Sequence, residues 1–222
     1  MTCSIGSLPQ YSRREEIMNS SSHFLGSLFA LGVLFFFITF ETVNSVSFLY
    51  MIPFYIYVLF LGVMFTCSGI YHSRPFGSKA RAICRIIDHS DIYFCIAGTY
   101  TPICIHAITN TAAGYTILAV NWGLCILGAI LNLIKTDNKI VSTISYILYV
   151  ACGWLIMVVY PLGLGIPFIV FLFILLGGIS YTVGAVLYAI GSKKKWFHSI
   201  FHIFVLLGAV LQFVGICFIL GI

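Results

Sequence analysis

Long stretches without a charged residue dominate this chain and limit what it can fold into. The five longest cover residues 17–40, 42–71, 92–134, 140–192 and 196–222. Only 8% of the residues are charged, against about 25% in a soluble domain. The stretches are solid apolar runs rather than ten-residue alternating ones, which excludes a membrane-spanning sheet. The sequence therefore predicts an all-α integral membrane protein.

Breaks inside the two longest stretches raise the predicted number of membrane helices to seven. A membrane helix needs about 20 residues, so residues 92–134 and 140–192 each suit two helices. The breaks are Thr109-Asn110-Thr111 and the segment from Pro161 to Pro167. We predict a single seven-transmembrane bundle over residues 1–222, with helices at 24–41, 46–71, 86–107, 113–134, 140–160, 167–190 and 196–221.

The basic residues predict the orientation of this bundle. All eleven precede helix 1 or fall in loops 2–3, 4–5 and 6–7: Arg13, Arg14, Arg74, Lys79, Arg81, Arg85, Lys135, Lys139, Lys193, Lys194 and Lys195. Seven helices place these positions on one side of the membrane, which the positive-inside rule makes cytosolic. We expect a cytosolic N-terminus, an outside C-terminus and a multi-pass protein of the cell membrane, with a bacterial inner membrane favoured. The net charge of +5 then needs no nucleic-acid partner.

Two histidines lie inside the apolar stretch WFHSIFHIF, residues 196–204. Polar groups at membrane depth are costly and often functional. His198 and His202 are spaced i, i+4 and share one helix face, as in other sites where such a pair binds one metal ion. The alternative is a pair of core or interfacial histidines, bonded to backbone or to each other. The spacing alone leaves both interpretations open.

Two more polar motifs fall at the same predicted depth. Ser68 and His72 end helix 2, and Asp88 opens helix 3. Taken singly, each residue has a simpler interpretation. His72 would be an interfacial histidine, and Asp88 would be a charge at a helix N-terminus that pairs with Arg85. Asp91 could take the same role as Asp88. Helix 2 ends, and helices 3 and 7 begin, at the cytosolic face. Three histidines and a carboxylate at one level is the residue set of a catalytic zinc centre.

A polar stripe precedes the first apolar run. Glu16, Asn19 and His23 are spaced by three and four residues, so a helix places them on one side. A solvated helix start would explain Glu16 alone. A stripe that caps the predicted zinc centre explains all three residues together.

These motifs resemble those of the haemolysin III family, the bacterial branch of the progestin and adipoQ receptor proteins. The family elements are E-x2-3-N-x3-H, S-x3-H, an acidic residue in helix 3, and H-x3-H. The matching positions are Glu16, Asn19 and His23, then Ser68 and His72, then Asp88, and finally His198 and His202. The resemblance extends over nearly the whole chain.

The resemblance implies a zinc site. In the family the three histidines bind Zn²⁺ and the aspartate hydrogen-bonds a water, which here implies His72, His198 and His202 as ligands and Asp88 as their neighbour. The fold is similar to that of alkaline ceramidases, which are zinc amidohydrolases. The family name comes from a haemolytic, pore-forming activity.

Two functional hypotheses follow, with a membrane lipid as the expected partner. The first is a zinc-dependent hydrolase acting on a lipid amide or ester near the cytosolic face, with Asp88 as general base and Ser68 supporting it. The second is a non-enzymatic pore-forming or receptor-like protein with a structural zinc. A metal transporter is disfavoured because the polar residues stop at one depth instead of crossing the bilayer.

Overall fold

Helices make up nearly all of the part of the chain that the structure describes. A computed structural model describes residues 10–134, 139–191 and 194–222, and these ranges contain no strand. The helices are α1 Arg13–Val43, α2 Phe48–Ser73, α3 Lys79–Pro102, α4 Thr111–Ile134, α5 Lys139–Gly153, α6 Ile156–Val159, α7 Phe168–Gly191 and α8 Phe197–Ile219. A π-helical turn at Ile103–Ala107 continues α3, and a 3₁₀ turn at Tyr160–Leu162 continues α6.

Five of the helices within these ranges are long and apolar enough to cross a membrane, namely α1, α2, α4, α7 and α8. A sixth crossing results when Thr143–Gly153 and Ile156–Leu162, which meet at a bend of 43°, count as one broken span. Helix α3 differs because its first 13 residues include Arg81, Arg85, Asp88 and Asp91. The structure confirms an all-α, multi-pass membrane protein; the seven-span count and the orientation stay predictions.

Two helices begin well before the expected residue, because capping groups and not hydropathy set their starts. Helix α1 begins at Arg13 rather than at residue 24. Ser12 and Glu15 form a capping box in which the Glu15 amide donates to Ser12 Oγ (3.4 Å) and the Ser12 amide donates to Glu15 Oε2 (3.0 Å). Helix α3 begins at Lys79 rather than at residue 86, where Ser78 Oγ accepts the Arg81 amide at 3.1 Å.

The predicted helix at 140–160 is broken in the structure. Helix α5 ends at Gly153, and the chain resumes as α6 and its 3₁₀ turn. The predicted break from Pro161 to Pro167 is present. Gly163 and Gly165 lie within it at φ values of 65° and 87°, which favour glycine because it has no Cβ. The broken region lies away from the polar motifs and does not disturb them.

Helices α1, α2 and α8 share an aromatic core. The ring of Phe37 on α1 lies 5.6 Å from that of Phe54 on α2 and 6.2 Å from that of Phe213 on α8. Nearer the start of α1, Gly26 leaves room for the ring of Phe65, a fully buried residue of α2. This close approach holds the polar beginning of α1 against α2.

Replacing Gly26 with Ala should destabilise the protein, because the added Cβ would overlap the Phe65 ring. Overpacking of this kind costs about 1–3 kcal/mol. Gly32→Ala is the matched control on the same helix, where a Cβ would meet nothing within 4 Å. Thermal unfolding in detergent should show a lower midpoint for Gly26→Ala and an equal or higher one for Gly32→Ala. Equal midpoints for the two variants would contradict the close α1–α2 packing.

Candidate metal centre

Three buried histidines converge where α2 ends and α8 begins. His72 belongs to α2, and His198 and His202 lie one turn apart on α8. One ring nitrogen from each falls within 4.8 Å of the other two. His198 Nε2 is 3.2 Å from His72 Nε2 and 3.0 Å from His202 Nε2. The predicted set of three histidines is therefore assembled, and it could hold a metal ion.

The spacing of these nitrogens fits a metal better than it fits hydrogen bonding. A tetrahedral ion with metal–nitrogen distances of about 2.05 Å holds its ligand atoms about 3.3 Å apart. The contacts of 3.2 and 3.0 Å are close to that value. His198 Nε2 has either one N–H or one lone pair in the ring plane, so without a cation it can form a well-directed hydrogen bond with only one of its two neighbours. The donor chemistry therefore suits a shared cation.

Glu16 fixes the orientation of the His72 ring. Its Oε2 atom lies 2.7 Å from His72 Nδ1, and a carboxylate can only accept, so Nδ1 donates. In the neutral ring the lone pair is then on Nε2, which faces the other two histidines. The second oxygen of Glu16 accepts from the guanidinium of Arg81, which is fully buried and also donates to the Arg74 carbonyl at 2.8 Å. Carboxylate–histidine pairs of this kind orient metal ligands and raise their basicity.

The rest of the α1 stripe contacts α8. Asn19 is fully buried, and its Oδ1 accepts from the Ser199 hydroxyl at 2.6 Å. The ring of His23 lies 3.8 Å from that of His202. Neither ring nitrogen of His23 has a hydrogen-bond partner within the described ranges. The structure thus brings all three predicted stripe residues to the histidine cluster.

Asp88 lies beside the cluster but outside the set of converging ligand atoms. The Ser68 hydroxyl lies against its carboxylate, which also interacts electrostatically with His72 and His198. The Nδ1 atom of the adjacent His89 is 3.5 Å from Asp88 Oδ2. An ion pair between Asp88 and Arg85 is not among those formed by the described residues.

Asp91 takes a different place from Asp88. It is buried, with the Cys67 thiol as a neighbour. Neither of its oxygens accepts a hydrogen bond of ordinary geometry from the part of the chain that the structure describes. An ion pair between Asp91 and Arg85, the alternative role, is likewise not among those formed by the described residues.

Three contacts at this end of the bundle were not expected from the sequence. Arg81 pairs with Glu16, and the Trp196 amide donates to Glu15 Oε1 at 2.7 Å. The Tyr11 ring stacks on His198 with centroids 4.4 Å apart, and burial raises the pKa of the Tyr11 hydroxyl above its usual value. The spacing of Arg81, Arg85 and Asp88 along one side of α3 could have indicated Arg81. No local pattern indicates Tyr11.

Comparison with known proteins establishes the family. The family model "Haemolysin-III related" matches residues 11–213. The chain belongs to the haemolysin III family. Hemolysin-3 homolog of Bacillus subtilis (strain 168) is 34% identical over 206 residues, which cover 92% of this chain and 94% of the relative. Hemolysin-3 of Bacillus cereus is 32% identical over 208 residues, with 92% and 91% covered. Haemolysin III membership confirms the resemblance drawn from the motifs.

If the cluster holds a metal ion, Glu16→Gln should weaken the binding of added Zn²⁺ about 10–100-fold, because the amide lacks the negative charge that raises the basicity of His72. The measurement is competition with a fluorescent zinc chelator. Glu41→Gln is the matched control, since Glu41 accepts from Tyr55 at the other end of α1 and should leave the affinity unchanged. Equal affinities for wild type and Glu16→Gln would show that Glu16 does not act on a metal through His72.

Proposed function

We propose that this member of the haemolysin III family is a zinc-dependent hydrolase that cleaves an amide or ester bond of a membrane lipid near the cytosolic face. The observation that carries the proposal is the buried convergence of His72, His198 and His202 beside a carboxylate that is not one of the converging atoms. Structural zinc sites use four protein ligands, whereas catalytic sites use three and keep one position open. Three histidines with Asp88 set apart match the catalytic arrangement.

The proposal includes seven membrane crossings with a cytosolic N-terminus. The broken pair α5 and α6 supplies the sixth, and the uncharged residues 92–107 of α3 and its π-helical turn supply the seventh. The beginnings of α1, α3 and α8 and the end of α2 meet at one end of the bundle, where Glu16 contacts His72 and Arg81 and Glu15 contacts Trp196. Lys135 and Lys193, which the same topology assigns to this face, lie outside the described residues.

Each residue of the site has a defined role in this chemistry. Zinc held by His72, His198 and His202 would supply Lewis acidity and would lower the pKa of water toward about 7. Asp88 accepts the proton that a water loses as its oxygen bonds to the substrate carbonyl carbon. The same carboxyl returns that proton to the leaving nitrogen or oxygen when the C–N or C–O bond breaks. Ser68 holds the Asp88 carboxylate in place, and Glu16 holds the His72 ring.

A second candidate function rests on the name of a relative. Hemolysin-3 of Bacillus cereus is named for lysis of cells, which favours a non-enzymatic, pore-forming or receptor-like protein with a structural metal. In that case a metal would stabilise the fold, and Asp88 would have no part in a reaction. Metal content and turnover, measured on the same variants, distinguish the two functions.

His202→Ala should remove bound zinc, because two histidines and no third ligand hold the ion poorly. Mass spectrometry of detergent-purified protein should find about one zinc per wild-type chain and far less in the variant, whose stability should also fall. His106→Ala is the control, since His106 stacks on Phe54 outside the cluster. Unchanged zinc content in His202→Ala would refute the metal centre.

Asp88→Asn should keep zinc and lose turnover by about 100-fold or more, because the amide cannot accept the proton. Turnover is measured on a panel of lipid amides and esters by mass spectrometry of the released fatty acid. Asp91→Asn is the matched control one turn along α3 and should retain both zinc and turnover. Loss of zinc in Asp88→Asn would instead make Asp88 a ligand, and full turnover would exclude it as the base.

A further inference from the structure

A groove opens beside the histidine cluster at the same end of the bundle. It has a volume of about 570 Å³ and lies between the beginning of α1, the end of α2 and the beginning of α3. Glu16 and His72 line it, so the groove borders the proposed metal centre on the side where these two residues pair. A volume of this size suits a ligand larger than water or a bare ion.

Two unpaired guanidinium groups give the groove a positive charge. Arg13 and Arg74 line it and are exposed, and the side chain of neither forms an ion pair or hydrogen bond with any residue in the described ranges. Arg81 also lines the groove, but its charge is matched by Glu16. The groove therefore favours an anion, and guanidinium groups suit phosphate in particular.

The groove lies at the depth of lipid headgroups. Helix α1 has 31 residues and is about 46 Å long, whereas the hydrocarbon core of a bilayer is about 30 Å thick. The exposed apolar surface of α1 becomes continuous from Phe24 onward, so the turns before it project into the headgroup layer. Ile17 and Phe76 line the groove and are 57% and 48% exposed, which offers apolar surface next to the two arginines.

We propose that this groove binds the phosphate of an anionic lipid headgroup. The phosphate contacts Arg13 and Arg74, and the glycerol region lies against Ile17 and Phe76. A lipid held in this way has its ester linkages near His72. If the proposed hydrolase function is correct, its substrates are therefore phosphate-bearing lipids.

The test is a binding measurement that needs no turnover. Zinc-loaded, detergent-purified protein is titrated with dioctanoyl phosphatidylglycerol, with dioctanoylglycerol, which has the same chains and no phosphate, and with inorganic phosphate. Binding is followed by native mass spectrometry. Wild type should bind the phospholipid more tightly than either other probe. If dioctanoylglycerol binds as tightly as the phospholipid, the groove does not recognise the phosphate. If inorganic phosphate binds as tightly, the groove recognises a free anion and not a lipid headgroup.

The variant Arg13→Gln/Arg74→Gln should bind the phospholipid at least about tenfold more weakly, since each basic group near a membrane surface contributes severalfold. Arg14→Gln/Lys79→Gln is the control, because it removes the same charge from exposed positions at this end of the bundle that do not line the groove. An equal loss of phospholipid affinity in the control variant would mean that positive surface charge in general attracts the lipid. That result would refute the groove as the binding site.

A metal-poor variant separates this proposal from the hydrolase. His202→Ala should still bind the phospholipid, because His202 does not line the groove. Retained binding supports the groove even if no lipid is hydrolysed by the wild type. Loss of phospholipid binding in His202→Ala would indicate that the phosphate binds at the histidines. That result would refute the groove as the phosphate site.

Discussion

The carboxylate of Glu16 joins three helices at the end of the bundle where the site lies. One oxygen faces His72 Nδ1 of α2, and the other faces the buried guanidinium of Arg81 on α3. A buried arginine needs a counter-charge, and a histidine that binds metal through Nε2 needs its Nδ1 proton accepted. Glu16 meets both needs. The position of α1 against α2 and α3 is therefore fixed by the same contacts that orient the first histidine.

The early start of α1 follows from this role. Its first three turns are polar, so lipid could not stabilise them. They are stabilised instead by the Ser12–Glu15 capping box and by contacts with other helices. Asn19 and His23 continue the stripe onto α8, which carries the other two histidines of the cluster. Helix α1 thus braces both helices that carry the three histidines of the cluster.

Sequence spacing predicted contacts within a helix better than contacts between helices. His198 and His202 share a face because the helix repeat requires it, and no tertiary information is needed. The pairing of Arg81 with Glu16 spans 65 residues, and no local pattern encodes a partner at that distance. Hydropathy also missed the start of α1, because it responds only to apolar residues. The S-x-x-E signature that begins at Ser12 could have predicted the start of α1, because it indicates capping of the helix backbone and does not depend on apolar residues.

The two ends of the bundle are held by different forces, and this bears on what the metal centre does. Away from the site, Phe37, Phe54 and Phe213 pack as apolar rings. At the site, hydrogen bonds and ion pairs already join α1 to α2, α3 and α8. A structural zinc is needed where a chain has no other means of bringing its ligands together, as in small zinc domains. Here the polar contacts already align the helices that carry the three histidines, which favours the proposed catalytic use of a metal over a structural one.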